Sequence, residues 1–397
     1  MNRTIGLGAL ALTSLAGALL YAADPPSAEI TNGQIKAKIC LPDQQNGFYH
    51  STRFDWSGIV CQMEYKGHVF YTPWWYKTDL QTYDFGYDDK GVVSAPFTAM
   101  AGPGEEFNST GGPLNFADAP FGGTFIKIGV GVLRKPKQGE PPIPTPPARG
   151  GAPAAAVAGG ANNNGRGGAA PGMPPAGAPA GSGRGGGGGP DRYDHSRVYE
   201  IVDPGKWTVK KNKDSVEFTQ VINDAADGYG YIYHKVVRLV PGKPEMTIEH
   251  SLKNTGTKPI VGTVYNHNMF SPDGGGPNKD LTITFPFKVV SARPPAAGLI
   301  EQKDNELVYL KTLVDTDRGT ANPGGFGDTA KDYDFRVEDK KTGVGYHVVG
   351  DKPIQSFTVW SIRTVQAVEP YISYSIDPGK EFTWNIHYDY FVNPPQK

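Results

Sequence analysis

The feature that most constrains this chain is a period-two alternation that keeps returning along its length. "GQIKAKICL" sets Ile35, Ala37, Ile39 and Leu41 against polar neighbours, and "YIYHKVVRLV", "EMTIEHSLKN", "LTITFPFKVV", "SFTVWSIRTV" and "EFTWNIHYDYF" repeat the pattern with β-branched and aromatic residues. Apolar residues at every second position mark strands with one buried face. Turn chemistry separates them at "PGKP" (241–244), "NTGTKP" (254–259) and "DPGK" (377–380). No segment carries a helical apolar stripe of four turns; short helices near 79–84 and 328–333 are the only ones the sequence allows. No repeat at propeller-blade length is present. Tandem hairpins on this scale predict an all-β fold, a large antiparallel β-sandwich.

One block departs from the pattern. Residues 136–190, "PKQGEPPIPTPPARGGAPAAAVAGG…GSGRGGGGGP", hold most of the excess in the chain's 52 glycines and 35 prolines. A segment with so few apolar side chains has no face to bury, so disorder is expected. Strand-like sequence stands on both sides, "GGTFIKIGVGVLRK" before and "DRYDHSRVYEIV" after. The expectation is one sandwich domain over 24–397, interrupted at a loop tip, where a long insertion adds little closure entropy.

The N-terminus, "MNRTIGLGALALTSLAGALLYAAD", has one arginine before an apolar run that ends in small residues. Residues 1–23 read as a secretory signal peptide, which places the mature protein in the periplasm or outside the cell. Neither Ala22 nor Ala23 has a small residue two positions earlier, so an uncleaved anchor stands as the alternative. No later run is apolar enough to span a bilayer. Cys40 and Cys61 are the only cysteines. In an exported protein such a pair suggests a disulfide, worth about 3 kcal/mol for a loop of this length, against two buried thiols as the alternative. The 39 basic and 40 acidic side chains nearly cancel, which offers no electrostatic basis for nucleic-acid binding or for an anionic membrane surface.

The signatures of nucleotide, dinucleotide and zinc-protease sites are missing, and the eight histidines show no metal-ligand spacing. No metal and no cofactor is expected. Two stretches stand apart. "VGTVYNHNMFSPDGGG" (261–276) runs from a strand into a glycine-rich loop and puts His267 where a rigid sheet presents functional groups. "VQAVEPYISYSIDPGK" sets Glu369 in an apolar run just before Pro370. A carboxylate destined for burial has a raised pKa, which suits acid–base work. Pro370 has no N–H for a ladder, so a bulge or an edge is expected beside Glu369. Read singly, each residue also fits a structural role.

Taken together, "HSLKNTGTKPI", "YNHNMF" and, about a hundred residues on, "AVEPYISYSIDPGKEFTW" resemble the galactose mutarotase-like superfamily, the aldose 1-epimerases and their relatives. The resemblance implies a β-supersandwich that binds a mono- or oligosaccharide in a cleft on one sheet. It implies an Asn–His element, here Asn266 and His267, whose histidine protonates the ring oxygen of the sugar. Glu369 would take the proton of the anomeric hydroxyl from the opposite side. Arg53 in "STRFDWSG" matches by position an early arginine that contacts sugar hydroxyls. The family's upstream His-Gly-Gly element has no histidine here; "PFGGTFIKIGVG" offers Lys127 in a substrate-facing place. Trp74 and Trp75, in "VFYTPWWYKTDLQTYDF", are candidates for stacking on a sugar ring, and equally for packing of the sandwich. The functions that follow are an exported aldose 1-epimerase-like isomerase, another carbohydrate-processing enzyme on the same scaffold such as a polysaccharide lyase, or a non-catalytic carbohydrate-binding protein.

Overall fold

The computed structural model describes residues 24–109, 112–140, 192–225, 227–291 and 293–394. The signal-peptide reading of 1–23 lies outside these residues, as does the Pro/Gly/Ala-rich block from 141 to 190. Residues 136–140, the first of the stretch expected to be disordered, are part of the fold, because Arg134 forks onto Glu140 at 2.9 Å. Immediately around the block, Gly131–Arg134 and Glu200–Asp203 form one antiparallel pair.

The described chain is all-β, as the alternation predicts. A ten-stranded sheet runs Lys206–Lys211, Ser215–Ala225, Tyr229–Leu239, Glu245–Asn254, Glu381–Val392, Val344–Gly350, Asp334–Asp339, Leu281–Thr284, Glu306–Tyr309, Ile300–Lys303. A six-stranded sheet runs Gly319–Ala321, Ser356–Ile362, Val365–Ile376, Ile260–Asn266, Glu105–Asn108, with Asn268–Phe270 also paired to Val365–Ile376. Every pairing in these two sheets is antiparallel. Of the two segments read as possible helices, 328–333 contains one turn of 3-10 helix, Ala330–Asp332, and 79–84 contains turns.

The strands form where the alternation puts them. In Glu245–Asn254 the residues Met246, Ile248, His250, Leu252 and Asn254 turn inward while Glu245 and Thr247 do not. Val237, Ile248, Trp384, Ile386 and Tyr388 from the larger sheet meet Val264, Val359, Val368 and Ile372 from the smaller in one core. Two packed antiparallel sheets bury their inner faces this way, and each large apolar side chain so removed from water contributes about 1.5–3 kcal/mol. The hairpin that joins the last two long strands needs Gly379 at φ +76, a conformation that strains any side-chain-bearing residue. Cys40 and Cys61 form a disulfide across neighbouring strands, with Cα atoms 5.9 Å apart.

Candidate active site

Val365–Ile376 lies in the middle of the six-stranded sheet, flanked by Ser356–Ile362 on one side and by Ile260–Asn266 and Asn268–Phe270 on the other. Pro370 therefore sits in an interior strand, not at the edge its missing N–H suggested. The sheet accommodates it by interrupting the partner. Tyr265 faces Tyr371 and Asn268 faces Val368, and between them the ladder lapses at His267. The His267 N–H continues the register with the strand on the other side, bonding to the carbonyl of Gly104 at 2.8 Å. In that register Pro370 stands opposite Asn266 and Glu369 opposite His267, and the two candidate side chains meet: His267 Nε2 lies 3.1 Å from Glu369 Oε1.

Aromatic side chains enclose the pair. Phe54 and Trp360 each place a ring edge-on to the imidazole at 5.7 Å. Tyr265 stacks on Tyr371 at 4.3 Å, and the Tyr371 hydroxyl donates to Glu369 Oε2 at 3.0 Å. Only 4% of His267 and 3% of Glu369 is exposed, so neither charge is well hydrated. Burial pushes Glu369 up to about 7, against a smaller downward pull from Arg53 and the Tyr371 hydroxyl. Burial also pushes His267 well below its ordinary value, and the Arg53 guanidinium adds to the effect. Both members are driven towards their neutral forms. His267 Nδ1 is buried and has no hydrogen-bond partner among the described residues.

Beside this pair, two consecutive glutamates point to opposite sides of their strand. Glu106 accepts from Arg53 Nε at 2.8 Å, from Lys127 Nζ at 3.1 Å, and from the Tyr265 hydroxyl. Glu105 faces the interior, where Lys235, His250 Nε2 at 2.9 Å and Asn266 Nδ2 at 2.9 Å converge on it. Burial raises Glu106, but Lys127 and Arg53 together more than reverse it and hold it well below the usual carboxylate range. Arg53 remains charged, since Tyr265 and Glu106 overcome its burial.

The structure brings His267, Glu369 and Arg53 into one neighbourhood, corrects three other expectations and chooses packing for Trp74. The first concerns spacing: His267 and Glu369 do not stand on opposite sides of a sugar-sized gap but touch. Lys127 does not face a substrate, because Glu106, the Phe107 carbonyl at 2.8 Å and Asn108 at 3.0 Å engage its ammonium. Asn266 points away from the pair, since alternation sends residues 265 and 267 one way and 266 the other. Trp74 is core, its N–H directed at the Met100 carbonyl (2.9 Å). Trp75 is half-buried against Phe48 and Trp74.

The sequence reading missed Glu106, Tyr265, Tyr371, Trp360 and His195. Two of these had a signal: Tyr265 and Tyr371 lie two residues from His267 and Glu369, on the same faces. His195, which sets its ring edge against Phe97 at 6.2 Å, is pushed down by burial and by Arg53.

No family model matches the chain, and no curated protein matches it. Among solved structures, a galactose mutarotase related enzyme from Lactobacillus acidophilus is similar at 10% identity and a TM-score of 0.47, over 94% of this chain and 100% of that one. A galactose mutarotase-like protein from Clostridium acetobutylicum is similar at 10% identity and 0.46, over 92% and 95%. An aldose epimerase homologue from C. elegans is similar at 12% and 0.43, over 93% and 99%. At TM-scores below 0.5 the reading of the site rests on this chain's own side chains: a large antiparallel β-sandwich with a buried histidine–glutamate pair.

Proposed function

We propose that the protein is an acid–base isomerase of sugars, aldose 1-epimerase-like, and that His267 and Glu369 carry the reaction. The observation behind this reading is a histidine and a glutamate in contact at 3.1 Å, both driven towards neutrality, with one imidazole nitrogen unpartnered. Anomer exchange removes a proton from the anomeric hydroxyl and delivers one to the ring oxygen. The bond from the anomeric carbon to the ring oxygen breaks, the free aldehyde forms, the adjoining carbon–carbon bond rotates, and the steps reverse. Both oxygens are bonded to one carbon, so a touching acid and base can serve them from the same side. Burial makes protonated Glu369 the acid and neutral His267 the base, the reverse of the roles implied by the family resemblance.

The pair is nearly closed, and a sugar reaches it only when its cover moves. Trp360 leads outward from His267 to Phe85 at 5.8 Å, and Arg318, half exposed, lies over both rings at 6.0 and 5.4 Å. The closure favours a second reading, a carbohydrate-binding protein without turnover. Export is part of the proposal, supported by the N-terminal apolar segment and by the Cys40–Cys61 bond, which persists in oxidising compartments. Among the described residues no helix is long and apolar enough to cross a membrane.

Anomer interconversion followed by NMR across a panel of aldoses tests the proposal. The expected result is catalysis above buffer for at least one sugar, lowered about 10²–10⁴-fold in His267→Ala and Glu369→Gln. Buffer-level rates throughout would refute it, and saturable sugar binding without turnover would establish the second reading.

A further inference from the structure

The solvent face of the ten-stranded sheet carries a second gathering of histidine and carboxylate, remote in the fold from the pair above. Glu245, His387 and Asp389 each offer a ligand atom, all within 4.8 Å of one another, and all three residues are partly exposed. The register explains the meeting. Glu245 stands directly across from Asp389 on the neighbouring strand, and His387 is two residues from Asp389 and so on the same face. Because the ligands come from two strands more than a hundred residues apart in sequence, no ligand spacing is visible in the sequence.

We infer that Glu245, His387 and Asp389 form a binding site for a borderline divalent cation such as Zn²⁺. The distances carry the argument. A tetrahedral ion with bonds of about 2.0–2.2 Å holds its ligand atoms about 3.3–3.6 Å apart. His387 Nε2 lies 3.2 Å from Asp389 Oδ1 and 3.4 Å from Glu245 Oε2. An imidazole with two carboxylates is a donor set that suits zinc and its neighbours, with solvent completing the coordination.

The third strand holds the site in place. His347, which pairs in register with Asp389, contacts the other oxygen of that carboxylate, Nδ1 to Oδ2 at 3.3 Å. Its Nε2 is anchored on Asp334 Oδ1 at 2.8 Å. Asp389 is therefore oriented with Oδ1 turned to His387 and Oδ2 held from behind, the outer arrangement typical of metal-binding carboxylates. An ion here ties Glu245–Asn254 to Glu381–Val392 in the middle of the sheet and stabilises the fold by binding only the folded chain.

Calorimetric titration of the untagged, chelator-stripped protein with Zn²⁺, paired with thermal unfolding, tests the site. The expected result is saturable binding of one ion per chain and a rise in Tm. Both should be lost in His387→Ala and Glu245→Gln, and the affinity should weaken about 10-fold or more in His347→Ala. His68→Ala, whose ring pairs with Asp273 elsewhere, should bind as the wild type does. All these side chains are at least partly exposed, and circular dichroism verifies that the variants fold. No saturable binding, binding unchanged in His387→Ala and Glu245→Gln, or loss in His68→Ala instead would overturn the assignment.

Discussion

Two buried histidine–glutamate pairs lie close together in this fold, and they differ in nearly everything but composition. His250 Nε2 is 2.9 Å from Glu105, and His267 Nε2 is 3.1 Å from Glu369. Glu105 also receives Lys235 and Asn266, while His250 stacks on Trp384 at 4.3 Å and turns Nδ1 to the Trp384 carbonyl at 3.2 Å. Burial raises Glu105, but Lys235 and His250 more than offset it, so the carboxylate stays ionised. Besides His267, Glu369 is in contact with no such cation among the described residues, only with the Tyr371 hydroxyl, and burial prevails. The same two residue types yield a fixed ion cluster in one place and a pair driven towards neutrality in the other. What separates them is the third partner, not the depth of burial.

The comparison breaks most directly at Lys235. Lys235→Met leaves Glu105 and Asp55 buried without their ammonium, and should lower unfolding free energy by about 3–5 kcal/mol in urea titrations. Asn266→Ala removes one hydrogen bond to the same charged carboxylate and should lower it by about 1.5–3 kcal/mol, by the same measurement. If Asn266 served a sugar instead, that variant would lose affinity with little change in stability.

The third prediction concerns pH. Burial pushes Glu369 up to about 7 in the folded chain against an ordinary value of 4.5. Between those values the folded state binds more protons than the unfolded, so this group's stabilising contribution is full below 4.5 and is lost as pH rises through 7. Glu369→Gln abolishes that loss and should gain about 2.5 kcal/mol on the wild type between pH 5 and 8. His267 works the other way. Its depressed pKa gives a contribution that is present above 6.5 and lost as pH falls towards the folded value. Unfolding curves whose separation is constant with pH would mean that Glu369 is not neutralised by burial.

Much of this was legible in the sequence, for physical reasons that can be named. Strand alternation is local, so the all-β sandwich follows from side-chain order, and so do Tyr265 and Tyr371 beside the pair. Pro370 announces a disturbed ladder; that the disturbance falls on the partner at His267, not on its own strand, depends on which strand becomes the neighbour. The cluster around Glu105 joins residues 130 and 145 positions away, and no local pattern encodes such meetings. The same blindness hid that Glu106 engages the Lys127 ammonium and that Asn266 turns away from the pair to Glu105. Their residue types suit sugar binding, but their neighbours are buried carboxylates.

The most direct test is an infrared pH titration of the Glu369 carboxyl, isolated as the difference between wild type and Glu369→Gln. The account predicts a protonated carboxyl band in a dry environment that disappears with a midpoint near pH 7. A carboxylate already ionised at pH 5 would place Glu369 with Glu105 among the fixed charges and contradict the movable proton on which the proposed chemistry depends.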